Sequence, residues 1–66
     1  MISTLKINTN LYVLEDDKTV TLEQINKNWF AFKRVNDITQ NLIATAETFD
    51  ILVEKLTVKY LTARLK

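Results

Sequence analysis

The sequence predicts a small α+β domain: a short N-terminal meander of two or three strands over residues 1–21, then a helix near 22–35 and a longer helix near 38–65. Three observations carry this reading. A period of two marks the N-terminus, a doubly signalled helix start stands at Thr21, and an apolar repeat of seven runs through the second half. At 66 residues the chain is long enough for one domain, 1–66.

In Ile2–Leu14, Leu5 and Ile7 alternate with polar Thr4, Lys6 and Asn8. Asn8-Thr9-Asn10 suits a turn, since Asn tolerates left-handed backbone angles and its side chain mimics a turn hydrogen bond. Leu11-Tyr12-Val13-Leu14 is a second β-prone run, Glu15-Asp16-Asp17-Lys18 a second turn, and Thr19-Val20-Thr21 a third short run.

The helix near 22–35 rests on local devices. Thr21 and Gln24 have the spacing of a capping box, Val20 and Ile25 that of a hydrophobic staple. Glu23 lies where a helix dipole favours negative charge. Ile25, Trp29 and Phe32 then recur at helical spacing. Asn36-Asp37 interrupts: Asn36 suits a helix end, and Asp37 with Gln40 suits a new start. The alternative is one continuous helix of more than 40 residues, as in a coiled coil.

Over 38–65 the pattern is clearest. Val35, Leu42, Phe49, Leu56 and Ala63 fall every seven residues, with Ile38 and Leu52 between them. Ala46 and Tyr60 broaden the stripe beyond a coiled-coil seam. Opposite it lie Ala44, Ile51, Val58 and Leu65.

Composition closes off most chemistry. Cys and His are both absent, which removes disulfides, structural zinc, thiol nucleophiles and imidazole catalysis. Gly and Pro are absent too, and with them phosphate-cradling glycine loops and nucleophile elbows. Ser3 and the threonines have no imidazole base, so an enzyme is not expected, nor any cofactor. Glu47, Asp50 and Glu54 share one helical side but read as a solvated stripe, because bundle metal sites draw ligands from several helices. Asp16-Asp17 lacks the further ligands and the glycine of a calcium loop. The net charge of +1 recommends neither nucleic acid nor anionic membrane, and no apolar run reaches a membrane-spanning length. A cytoplasmic protein is the default expectation. Residues with AT-rich codons (Asn, Lys, Ile, Thr) dominate over Gly, Pro, Ala and Arg, which points to a low-GC bacterium or its phages and plasmids.

The function expected is therefore non-enzymatic: a homo-oligomeric interaction module, a small regulator or host-factor-binding protein. Phe30, Lys33 and Arg34 are the candidate partner-binding residues, because exposed aromatic and Arg side chains are enriched at interfaces. Leu42, Phe49, Leu52, Val53, Leu56 and Tyr60 are the candidate oligomer interface. Antiparallel pairing of two copies there would set Glu54 against Lys55 and Asp50 against Lys59. The alternative is a nucleic-acid-binding regulator using Lys27, Lys33 and Arg34 with Phe30 as a stacking platform, or Lys55, Lys59, Arg64 and Lys66 of the C-terminal helix.

Overall fold

A computed structural model describes residues 2–65, with side chains for residues 2–60. It corrects the expected architecture: five antiparallel strands precede a single helix. The strands are β1 (Thr4–Asn8), β2 (Leu11–Leu14), β3 (Val20–Ile25), β4 (Asn28–Arg34) and β5 (Gln40–Ala46), and the helix α1 is Phe49–Leu65. Sheet order follows chain order, β1-β2-β3-β4-β5, so every connection is a hairpin.

The segment expected as a helix near 22–35 is the β3–β4 hairpin. Ile25 pairs with Asn28, leaving a two-residue turn, and both of its residues have positive φ: 52° at Asn26 and 72° at Lys27. That is a type I′ turn, whose twist matches the flanking strands; it usually carries Asn-Gly, and here Lys stands in the second place. Thr21 is therefore a strand residue paired with Phe32, not a helix cap. The start expected for the long helix is likewise strand, because Gln40–Ala46 pairs with β4. The interruption at Asn36-Asp37 is a hairpin loop, in which Asn36 Oδ1 accepts the N–H groups of Ile38 (3.0 Å) and Thr39 (2.9 Å).

The working helix start is Thr48. Its hydroxyl accepts the N–H of Ile51 at 3.2 Å, its carbonyl accepts that of Leu52 at 3.1 Å, and Asp50 lies in the first turn. From there the apolar side chains at 49, 52, 53, 56 and 60 fall on one face, and that face covers the sheet.

Side chains alternate across a strand, so one set turns toward the helix. Leu14, Val20, Leu22, Trp29, Ala31 and Ala46 meet Leu52, Val53 and Leu56 in a single core, with Tyr12 and Phe49 packed against it. Tyr12, Trp29 and Phe49 form a three-ring cluster with centroids 4.4–5.9 Å apart. No polar or charged side chain is buried among the described residues. Two turns use the chemistry their residues allow. Asn8 Oδ1 accepts the N–H of Asn10 at 2.9 Å, and Asp17 Oδ1 accepts that of Thr19 at 3.1 Å.

Candidate functional site

The helix covers one face of the sheet. The other face follows from register. Leu5 pairs with Val13, Val13 with Thr21, Thr21 with Phe32 and Phe32 with Leu42, so these five side chains form one line across all five strands. A second line, two residues along β2, β3 and β4 and three along β5, where the register shifts, runs Leu11, Glu23, Phe30 and Thr45. On the other side of the central line stand Arg34 and its neighbour Gln40.

An antiparallel sheet with one wet face normally alternates apolar and polar residues. This one does not. Leu5 is 39% exposed, Ile25 43% and Leu42 54%, and Leu11, Val13, Phe30 and Phe32 are half-buried without joining the core. Phe30 and Phe32 stack on each other with centroids 6.4 Å apart and planes 24° from parallel, separate from the ring cluster on the helix side. The result is a broad apolar surface with Glu23 on one flanking line and Arg34 on the other, where Glu15 also stands, two residues past Val13. Contiguous exposed apolar surface of this kind marks contact sites.

The expected site residues are distributed over both faces. Phe30 and Arg34 share the open face, joined there by Phe32, because residues four apart are co-facial on a strand as well as on a helix. Lys33 is on the helix side, where its Nζ donates to Asp17 Oδ2 at 2.6 Å. Of the expected oligomer stripe, Leu52 and Leu56 are fully buried against the chain's own sheet. Val53 is buried too, and Phe49 and Tyr60 are packed beside them. Leu42 alone is on the open face. Ile51 and Val58 are exposed on the outer side of the helix, with Glu54 and Lys55 between them, while Ala44 belongs to β5 and packs on the core. The expectations placed on Ala63, Arg64, Leu65 and Lys66 fall outside the described side chains.

Lys27 does not meet Lys33 and Arg34. Lys27 is at the β3–β4 turn, and Lys33 and Arg34 are at the far end of β4, roughly 20 Å away at about 3.3 Å per residue. Lys55 donates to the Thr45 carbonyl at 2.8 Å and ties the helix to the edge strand β5. Among the described residues no group of three or more Asp and Glu converges as a metal site, Glu47, Asp50 and Glu54 included, and no helix is long and apolar enough to cross a membrane.

Asp17 closes the β2–β3 loop onto the sheet. The Lys33 ammonium, first, and the Thr19 hydroxyl, second, hold its carboxyl below the ordinary Asp range. Burial, and secondarily the Asp17 carboxylate, push the nearby Tyr60 phenol up. Because the folded Asp17 binds its proton less readily than the unfolded one, its contribution is full above the unfolded pKa. It is lost as pH falls through the folded value. The pair is partly exposed, 39% at Lys33 and 32% at Asp17, so the effect is modest. Thermal melts from about pH 6 down to about pH 3 are expected to show wild type losing more stability than Asp17→Asn. Parallel curves would deny the pair any role in folding.

The residues missed by sequence reasoning are Leu5, Val13 and Phe32, the centre of the open face. Their signal is the run of apolar residues in Leu11-Tyr12-Val13-Leu14 and Trp29-Phe30-Ala31-Phe32, which in a strand means that both faces are apolar. Against models of known protein families, curated proteins and solved structures alike, this chain matches nothing.

Proposed function

We propose that the protein is a non-enzymatic interaction module that works as a homo-oligomer through the helix-free face of its sheet. The observation behind this reading is the line Leu5, Val13, Thr21, Phe32 and Leu42, which is apolar at four of its five places and, among the described residues, has no further layer of the chain over it. A domain of this size buries only about 60% of its unfolded surface, so covering a second face adds stability it otherwise lacks. The non-enzymatic part of the reading rests on composition, since the sequence contains neither Cys nor His. A small regulator or host-factor-binding protein of a phage or plasmid in a low-GC bacterium fits the residue usage, with the cytoplasm as its setting.

Phe32→Lys and Leu42→Lys test the reading by light scattering at micromolar concentration. Wild type is expected near twice the 7.7 kDa of one chain or a higher multiple, and both variants near 7.7 kDa. Trp29 is the sole tryptophan and lies on the helix side, so its fluorescence reports whether each variant is folded without depending on the open face. A folded, monomeric wild type overturns the proposal, as does an assembly that both variants leave intact. Retention on DNA that weakens steeply with salt would favour the nucleic-acid alternative instead.

A further inference from the structure

We infer that Lys55 guards the free edge of the sheet: its ammonium occupies a backbone acceptor of β5 that would otherwise pair with the edge strand of a second copy of this chain. The inference is independent of what the open face binds.

The sheet ends in two strands, β1 and β5, each paired on one side. Unpaired edge groups are a template for another strand, and proteins blunt them with short strands, lysines, prolines and bulges. β1 has five residues, Lys6 among them, and a register shift between Lys6 and Asn8. β5 is longer, and its seven residues, Gln40-Asn41-Leu42-Ile43-Ala44-Thr45-Ala46, include neither a charge nor a proline. Ile43 is the extra residue of a bulge, which kinks the middle of the strand. The run Ala44–Ala46 beyond it has no such device of its own.

Which of its atoms face outward follows from the turn at Asn26-Lys27. The turn's own hydrogen bond joins Ile25 and Asn28 as a directly bonded pair. Bonded and non-bonded pairs alternate along an antiparallel ladder, so Asn28, Phe30, Phe32 and Arg34 direct their backbone groups to β3. The Arg34 N–H donates to the Thr19 carbonyl at 2.9 Å, as the alternation requires. Phe30 therefore makes no ladder bond to its β5 neighbour Thr45, and the Thr45 N–H and C=O point away from β4, out of the sheet edge.

The Lys55 Nζ donates to that outward carbonyl at 2.8 Å. The helix packs over β5 and β4, which sets Lys55 beside the edge, and the long stem lets the ammonium reach the carbonyl while staying exposed. The contact takes the acceptor that an added strand's N–H needs, and it fixes a charge where that strand would lie. Glu47, the first residue past β5, is exposed at the same end, but a carboxylate is an acceptor and leaves the carbonyl open.

The test is Lys55→Met, which keeps an unbranched stem and removes both donor and charge. At micromolar concentration and neutral pH it is expected to form β-rich assemblies, read by thioflavin T and sedimentation, about tenfold faster than wild type. Within them the Thr45 amide, which faces solvent in the free chain, is expected to become protected from hydrogen exchange. Lys55→Arg keeps a donor and a charge and is expected to behave as wild type. Thr48→Ala loses the helix cap, a comparable cost in stability, but leaves the edge closed and is expected not to assemble. Adding Phe32→Lys to Lys55→Met is expected to leave the growth unchanged, because the open face takes no part in it. Growth no faster than wild type in Lys55→Met, equal growth in Thr48→Ala, or an unprotected Thr45 amide would overturn the inference. Growth abolished by Phe32→Lys would overturn it too, by assigning the assemblies to the open face.

Discussion

Leu56→Glu is expected to unfold the chain, not to separate folded copies. Leu56 is fully exposed to solvent nowhere: its side chain is 0% accessible, in contact with the sheet through the same core as Leu22 and Leu52. Truncating such a leucine to Ala costs about 2–5 kcal/mol, and a carboxylate there adds the cost of burying a charge for which the core offers no polar partner. A chain of this length has on the order of 3–10 kcal/mol in all. Far-UV circular dichroism and Trp29 emission of Leu56→Glu should therefore match the denatured protein at 25 °C. A variant that keeps its native spectrum and only halves its mass would place Leu56 at a subunit interface. The contrast with Leu42→Lys separates the two faces: one substitution removes the fold, the other the assembly.

What was legible in the sequence divides along the same line. The helix face 49, 52, 53, 56 and 60 was visible as a broad stripe, and its breadth correctly suited packing on a globular surface. Its partner is not a second copy but the chain's own sheet, whose strands β4 and β5 lie where the pattern predicts helix. The pattern misleads there for a physical reason. A strand shows a period of two only when its faces differ in polarity, and β4 carries Trp29 and Ala31 inward with Phe30 and Phe32 outward. With both faces apolar, the alternation vanishes, and the residual spacing of Ile25, Trp29 and Phe32 imitates a helix. Local devices then reinforced the imitation: Thr21–Gln24 has a capping box's spacing, but the hydroxyl that caps a helix is that of Thr48. The seven-residue repeat had no single structural cause, since Val35 is in a loop, Leu42 in a strand, and Phe49 and Leu56 in the helix. Phe30 and Arg34 stand four residues apart, a spacing that is co-facial on a strand as on a helix, so they share a face although the expected helix is a hairpin. The same apolar outward face that hides the strands is the observation on which the proposed contact surface rests.

Substitutions at the β3–β4 turn should reverse sign between the two readings of 22–35. In the hairpin, Lys27 holds φ at 72°, a conformation that costs a non-Gly residue roughly 1–2 kcal/mol. Lys27→Gly should therefore stabilise by about 1 kcal/mol, raising the melting midpoint by about 4–8 °C in a domain of this size. In the middle of a helix the same change would cost about 1 kcal/mol. Asn26→Pro carries the larger effect. Asn26 sits at φ 52°, and the pyrrolidine ring fixes φ near −65°, so the turn cannot form with proline in place. The hairpin it closes supplies Val20, Leu22, Trp29 and Ala31 to the core, four residues that no other segment replaces. We expect a loss of at least about 3 kcal/mol, enough to leave the chain mostly unfolded at 37 °C. Thermal melts of the two variants beside wild type settle the matter. Stabilisation by glycine together with collapse by proline requires the left-handed turn. Destabilisation by glycine would return residues 22–35 to a helix, and the open face, which depends on β3 and β4 being strands, would fall with them.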